Sequence, residues 1–248
     1  MSHVLLVTGG SRGIGAATAR LAAERGYTVG VNYRQNRAAA DAVVAAIAAA
    51  GGTAFAVRAD VASEPDVVRL FETVTAELGP IRALVNNAGI LERQTRVEQI
   101  DAARLDRVFA TNVRGAFLCA REAVLRMSTG HGGAGGAIVN VSSRAAQLGA
   151  PGEYVDYAAS KAALDALTIG LAREVAGEGI RVNGVRAGII YTDIHSDGGE
   201  PGRVDRIGPT LPMQRGGHAI EVARAILWLA SDEASYSTGT FIDVAGGR

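Results

Sequence analysis

Short runs of β-branched and other apolar residues recur along the chain, each followed by a longer stretch where apolar positions return every three or four residues. A run of about four to eight apolar residues reads as a strand buried on both faces, and a period of about 3.6 reads as a helix with one buried side. Strands are expected at 4–8, 29–32, 53–58, 83–85, 137–141, 181–185 and 241–244. Helices are expected at 15–25, 37–50, 102–127, 157–176 and 219–231. A further helix should follow a Ser63 cap, carry Pro65 and Asp66 in its first turn, and run to Leu78. Gly51-Gly52 and Gly79-Pro80 are matching stop signals. Seven apolar strands separated by helices predict an α/β fold, a seven-stranded parallel sheet with helices on both faces. No linker or internal repeat divides the chain, so residues 1–248 are expected to form one domain. Two segments break the alternation. Residues 128–136 hold five glycines and predict a flexible surface loop. Residues 192–217 are polar and rich in glycine and proline, as expected of a functional lid.

Composition narrows the classes. With 248 residues, 48% of them hydrophobic, the chain can bury a substantial core. Its 25 basic and 25 acidic side chains cancel. It therefore lacks the basic bias of a nucleic-acid binder and favours self-association over repulsion. A single cysteine, Cys119, excludes an internal disulfide and a cysteine-rich metal site. His3, His131, His195 and His218 are scattered without ligand spacing, so no metal is expected. No apolar run is long enough to predict a membrane span. Met1-Ser2-His3-Val4 enters an apolar strand at once, without a basic leader. A reducing cytosol is the expected setting.

Candidate chemistry begins at Thr8-Gly9-Gly10-Ser11-Arg12-Gly13-Ile14-Gly15, between the first strand and the first helix. Gly9 permits a tight turn, while Gly13 and Gly15 let the backbone approach a pyrophosphate at a helix N-terminus. Turn glycines without a ligand are the alternative, but placement in the first βα unit of a parallel sheet favours a nucleotide. The second strand ends in Asn32, Tyr33 and Arg34, with no carboxylate to hold a ribose 2′-hydroxyl. Arg34, with Arg12 from the glycine loop, suits a 2′-phosphate, so NADP(H) is the preferred cofactor and NAD(H) the alternative. Solvated surface arginines are the competing reading. Asp60 is a candidate partner for the adenine amino group, or simply a turn residue.

Tyr157 and Lys161 stand four residues apart on an expected helix, so phenol and ammonium share a face. A fixed positive charge there would lower the phenol pKa. A shift from about 10 to about 7 needs roughly 4 kcal/mol, which the ammonium and an oxidised nicotinamide together could supply. Ser143 lies fourteen residues before Tyr157.

Taken in order, the glycine loop at 8–15, Asn86-Asn87-Ala88-Gly89, Asn112, Ser143 and Tyr157-x-x-x-Lys161 resemble the short-chain dehydrogenase/reductase family over the whole chain. Within it the chain is similar to the branch of bacterial sugar dehydrogenases and 3-oxoacyl-carrier-protein reductases. The resemblance implies a Rossmann fold, and catalytic roles for Asn112, Ser143, Tyr157 and Lys161, with Asn112 holding a water as a proton relay. It implies cofactor contacts from Gly9, Ser11, Arg12, Gly13, Ile14, Gly15, Asn32, Tyr33, Arg34, Asp60, Val61, Asn87, Ala88, Gly89, Tyr157, Lys161, Gly188, Ile189 and Thr192. It also implies a homotetramer whose main interface uses the helices at 102–127 and 157–176. Ser142 and Tyr154 are rivals set aside by spacing, since Ala158, not lysine, lies four residues beyond Tyr154. One departure is Ala187-Gly188, where the family usually has Pro-Gly, and a slightly looser turn is expected there.

The expected reaction is reversible hydride transfer between a nicotinamide and a carbonyl or secondary alcohol of a small molecule. Substrate contacts are expected from Leu91, Arg93, Ser143, Arg144, Tyr154, Ile190 and His195, around a pocket whose mixed polarity suits a sugar-like compound or small ketone. The alternatives are a 3-oxoacyl-carrier-protein reductase and a catalytically silent NADP-binding sensor or scaffold. Neither nucleic acid nor a membrane is an expected partner.

Overall fold

The computed structural model describes residues 3–248. Its main sheet holds seven parallel strands: β1 (Val4–Val7), β2 (Thr28–Tyr33), β3 (Ala54–Arg58), β4 (Ile81–Asn86), β5 (Gly136–Ser143), β6 (Ile180–Ala187) and β9 (Phe241–Val244). Their spatial order is β3-β2-β1-β4-β5-β6-β9. The short strands β7 (Ile190–Tyr191) and β8 (Gly217–His218) pair with each other outside that sheet. The longer helices are α1 (Gly13–Glu24), α2 (Arg37–Ala49), α3 (Glu64–Leu78), α4 (Ala102–Phe109), α5 (Gly115–Met127), α7 (Val155–Val175) and α10 (Ala219–Ala230). Three short ones, α6 (Ala145–Leu148), α8 (Ile194–Asp197) and α9 (Arg203–Ile207), lie in the connections after β5 and β7.

Period-2 alternation divides the core. Leu5 and Val7 of β1 pack with Ala19, Val43 and Ile226 on one face, while Val4 and Leu6 pack with Leu70, Phe71 and Met127 on the other. Both faces are covered, which is why these strands read as continuous apolar runs. The strand order reverses between β1 and β4, and the chains leaving those strands diverge there to open a crevice at the carboxyl edge.

Several local expectations change. The helix expected at 102–127 is interrupted by a π turn, Ala110–Arg114, which carries Asn112. Ser63 occupies the cap position of α3 without a side-chain cap bond; the Asp66 carboxylate instead accepts from the Asp60 N–H at 2.9 Å. Residues 128–136 form a hydrogen-bonded turn, not a flexible loop: the Ser128 carbonyl accepts from Gly133 at 2.8 Å and the Met127 carbonyl from Gly135 at 2.7 Å. The segment 192–217 contains α8 and α9. Ala187 is buried between β5 and β9, paired with Ser143 and Val244, so the sheet register holds the position where the loss of proline predicted a looser turn. No helix among the described residues is long and apolar enough to cross a membrane.

Candidate active site

The glycine turn is shaped for a close backbone approach. Gly13 has φ +54°, and a Cβ on Gly15 would lie 2.3 Å from the Gly9 carbonyl oxygen, so a side chain there cannot fit. The floor beneath comes from the chain just after β4: Asn87 Nδ2 donates to the Thr8 and Gly9 carbonyls at 2.9 and 3.0 Å. Thr8 Oγ1 accepts from the Asn87 and Ala88 N–H groups at 3.0 Å each. Asn32 fixes the other side, its Oδ1 accepting from Gly9 N–H at 3.1 Å and its Nδ2 donating to the Ala59 carbonyl at 3.0 Å. Asn32 and Asn87 thus spend their amides on holding the turn. The turn opens into a cleft of about 980 Å³ that also includes Ser11, Val61, Gly89, Tyr157 and Thr192. That volume lies at the upper end of the usual ligand-pocket range of about 300–1,000 Å³. Together, the glycine turn and the cleft fit a dinucleotide.

The charged candidates are less free than the sequence suggested. Arg12 is ion-paired with Asp197 of α8. Arg34 Nη1 stands 3.9 Å from Asp60 Oδ2, while Asp60 Oδ1 accepts from the Ala62 N–H at 3.0 Å. Asp60 therefore behaves as a turn residue that also faces Arg34. Tyr33 is largely buried but still borders the cleft. Thr192 lies over the glycine turn, its methyl carbon 3.2 Å from where a Gly13 Cβ would stand. Gly188 packs against Ala245 and Ile189 is buried, its carbonyl accepting from the Gly217 N–H at 2.9 Å.

Ser143, Tyr157 and Lys161 converge at the inner end of this cleft. Strand alternation explains which serine faces it: Ser142 is buried with its hydroxyl donating to the Lys161 carbonyl at 3.3 Å, so Ser143 points the other way. Lys161 Nζ donates to the Val141 carbonyl at 2.8 Å and lies 5.6 Å from the centre of the Tyr157 ring. Burial pushes the phenol of Tyr157 up to about 12, against the opposing hydrogen bond with Ser143. Burial also pushes Lys161 down to about 8, with Asp165 opposing. The phenol is thus raised where its lysine neighbour predicted a lowering, because burial outweighs the Ser143 hydrogen bond. Asn112 lies behind the cleft. Its Oδ1 accepts from Ile90 N–H at 2.8 Å, and its Nδ2 donates to the Ile90 carbonyl and Ser160 Oγ at 3.0 Å each. Its amide is committed to joining the chain after β4 to α7.

The lysine shift has a consequence for stability. In the fold Lys161 loses its proton near pH 8, but in the unfolded chain only near its ordinary 10.5. The unfolded state therefore binds more protons between these values, and this group's contribution to stability rises with pH there. Urea titrations of the cofactor-free protein at pH 8 and 10 should show wild type gaining about 2–3 kcal/mol relative to Lys161→Met. A pH-independent difference would contradict a desolvated lysine.

At the substrate end, Leu91, Tyr154, Ile190 and His195 line the cleft. Tyr154 is buried, its ring under the Arg203 guanidinium at 5.3 Å and its hydroxyl 3.4 Å from the Gly198 carbonyl. His195 Nε2 donates to the Ile190 carbonyl at 3.0 Å, burial lowers its pKa, and its buried Nδ1 has no partner among the described residues. Arg93 is corrected: it is exposed outside the cleft, and its carbonyl accepts from Arg104 at 2.6 Å. Arg144 borders the cleft but pairs with Asp243 at 2.8 Å. The sequence reading missed Arg248 in the lining, since no motif marks it and only the path of the chain beyond β9 brings it there. Segment 192–217 is held by ion pairs, Arg203 bridging Glu153 and Glu200 while Arg206 binds Glu200. Cys119 is buried and its thiol pushed up to about 12, so it offers no thiolate near neutral pH.

Comparison with known proteins adds relatives. A family profile described as enoyl-(acyl carrier protein) reductase matches residues 9–248. The chain is 62% identical over 245 residues to an uncharacterized oxidoreductase of Escherichia coli, YgfF, covering 99% of each. It is 38% identical to the 3-oxoacyl-[acyl-carrier-protein] reductase FabG of Staphylococcus aureus, covering all of this chain and 98% of that protein. Among solved structures, a short-chain dehydrogenase/reductase of Serratia marcescens superposes with a TM-score of 0.90 at 33% identity, covering 99% of this chain and 97% of that one. Another, from Mycobacterium marinum, superposes at 0.92 with 34% identity, covering 99% and 94%.

Proposed function

Because the chain belongs to the short-chain dehydrogenase/reductase family of NAD(P)(H)-dependent oxidoreductases, we propose that Ser143, Tyr157 and Lys161 carry out its carbonyl reduction and alcohol oxidation on a small polar substrate. The observation that carries this reading is the convergence of these three side chains in one cleft with the glycine cradle. The nicotinamide, when bound, supplies or accepts the hydride. Tyr157 donates its phenolic proton to the carbonyl oxygen, while the Ser143 hydroxyl hydrogen-bonds the same atom and orients it. Lys161, anchored on Val141, keeps a positive charge beside the phenol and would hold the nicotinamide ribose. Asn112 acts from behind, fixing the chain after β4 against α7. A phenol pushed up to about 12 is protonated at neutral pH, which suits the reductive direction. The orphaned Nδ1 of His195 offers an acceptor to a substrate hydroxyl, and segment 192–217 acts as the lid.

The cofactor preference proposed is NADP(H), because Asn32 and Tyr33 at the end of β2 and Arg34 just after it include no carboxylate. Arg34→Asp should shift the NADPH-to-NADH affinity ratio about 10–100-fold towards NADH, the value of a charged hydrogen bond. An unchanged ratio in fluorescence titrations removes Arg34 from that role. A homotetramer is supported by the exposed Leu105, Phe109, Phe117 and Leu125 on α4 and α5, with Val155 and Ile169 on α7. Sedimentation equilibrium should then return four chain masses.

The 38% identity to FabG favours a second reading, reduction of a 3-oxoacyl group on a carrier protein. An acidic carrier needs an uncompensated basic patch. Of the three arginines on α5 and α7 that could meet it, Arg121 is paired with Glu64 and Glu122 and Arg126 with Glu122, which leaves only the exposed Arg173 without an ion pair among the described residues. Following cofactor absorbance with both cofactors over hydroxylated ketones, sugars, oxo acids and acetoacetyl thioesters decides between them. Thioesters reduced far faster than every free carbonyl would put the carrier-protein reading first, and binding of NADPH without any turnover would revive a silent sensor.

A further inference from the structure

Six guanidinium groups border the cleft, and five have carboxylate partners. Arg12 pairs with Asp197, Arg34 faces Asp60, Arg107 binds Glu92 at 2.9 Å, Arg144 binds Asp243 at 2.8 Å, and Arg203 is held by Glu153 and Glu200. The sixth, Arg248, has no side-chain hydrogen bond or ion pair with any described residue, yet it is only partly exposed. Resting on the reductase reading above, we propose that Arg248 binds an anionic group on the substrate, so that the carbonyl compound taken by this chain carries a carboxylate or a phosphate.

The main chain of Arg248 is held in place. Its N–H donates to the Ala245 carbonyl at 3.2 Å, and its own carbonyl accepts from Arg144 Nε at 2.7 Å. Arg144 directly follows Ser143, and its N–H donates to the Ala187 carbonyl at 3.0 Å. One hydrogen bond therefore links Arg248 to the residue beside the candidate catalytic serine. The preceding Gly247 packs on Pro212, so this stretch is also covered by the 192–217 segment.

Electrostatics point the same way. Burial lowers the pKa of Arg248, Arg203 and Arg144 reinforce that shift, and only Glu153 opposes it. Glu153 is not free to answer the charge, because Arg203 engages both of its oxygens. A partly desolvated cation without a partner is costly, and an arriving anion relieves that cost. The guanidinium fork offers two parallel donors, which match a carboxylate or phosphate and give the substrate a fixed orientation. Anchored at that end, the carbonyl is presented to Tyr157 and Ser143. Neither an unmodified sugar nor an acyl thioester carries such a charge next to its carbonyl, so the inference narrows the substrate class to oxo acids and their phosphate counterparts.

The test uses the full chain with NADPH and with NADH. Straight-chain 2-, 3-, 4- and 5-oxo acids are each assayed beside their methyl esters, and dihydroxyacetone phosphate beside dihydroxyacetone. At least one anion should exceed its neutral partner in kcat/KM by about 10–100-fold, as expected for a hydrogen-bonded charge pair. The oxo-acid and phosphate arms identify which anion it is. Arg248→Gln should raise KM for that anion by the same factor, with kcat and the neutral partner's kinetics unchanged, and Arg248→Lys should restore part of the loss. The Arg248 side chain has no described partner, so these variants should keep the fold. Calorimetric titration with acetate, butyrate, pentanoate and inorganic phosphate, none of which can be reduced, reads the site without catalysis. Saturable binding in wild type that is lost in Arg248→Gln supports the inference even if no carbonyl is turned over, an outcome that would sink only the reductase reading. Neutral partners reduced as well as the anions, or Arg248→Gln behaving as wild type in both assays, overturns it.

Discussion

Tyr157→Phe is expected to lower kcat about 10²–10⁴-fold, the usual contribution of a positioned general acid, while NADPH affinity stays near that of wild type. In the proposed reaction the phenol gives up the proton, and the Ser143 hydroxyl, an ordinary alcohol, is too weak an acid to replace it. Phenylalanine keeps the ring, and with it the packing beside Lys161 at 5.6 Å. The loss should therefore fall on kcat and not on cofactor binding. Rates on the best carbonyl of the substrate panel, with NADPH binding followed by fluorescence, separate the two. A variant within about tenfold of wild type would mean that another group supplies the proton.

Arg104→Ala is expected to cost about 3–5 kcal/mol of unfolding free energy, because it leaves a buried carboxylate without its partner. Arg104 Nε and Nη2 grip Asp156 at 2.7 and 3.1 Å, and Nη1 donates to the Arg93 carbonyl at 2.6 Å. The Asp156 side chain is only 1% exposed. Burial alone would raise the pKa of Asp156, but Arg104 and the backbone N–H groups of Tyr157 and Asp156 together outweigh it and hold the carboxyl below its ordinary value. Asp156 sits in the first turn of α7, directly before Tyr157, so the pair also fixes the start of the helix that carries Tyr157 and Lys161. Because the carboxyl is depressed in the fold, its contribution is present above its ordinary value near 3.8 and is lost as pH falls through the lower folded value. Urea unfolding of the variant measures the cost, and a midpoint shift worth less than about 1 kcal/mol would put this pair among ordinary surface ion pairs. At constant slope, the expected loss corresponds to a fall in Tm of roughly 6–20 °C.

The parts of the molecule legible in sequence are those set by periodicity and by local chemistry. Two-sided burial makes β1 a run of Val4, Leu5, Leu6 and Val7, and nothing beyond that run is needed to recognise a strand. The glycine turn is equally legible, because a Cβ on Gly15 would stand 2.3 Å from the Gly9 carbonyl oxygen and only glycine fits. Ser143, Tyr157 and Lys161 are carried by spacing and strand alternation. What could not be read depends on partners far apart in the chain. Arg12 suggested a free phosphate ligand because Asp197, which engages it, lies 185 residues away. The phenol of Tyr157 reads as acidified because its lysine neighbour is visible in sequence, whereas the burial that raises its pKa is not. The π turn at Asn112 lies within a stretch whose helical period continues through it, so the pattern gives no sign of the interruption. Glycines at 130–136 suggested flexibility because composition does not reveal that Gly133 and Gly135 donate back to Ser128 and Met127.

The floor of the glycine turn also has a kinetic meaning. Asn87 and Thr8 are 79 residues apart, and the bonds between them support the turn from below. A refolding chain cannot complete this cradle when β1 and α1 have formed; it must wait until β4 docks beside β1 and closes that long loop. Nucleotide affinity should therefore appear only after that docking, so cofactor present during refolding is expected to stabilise the finished sheet by mass action and not to speed its formation.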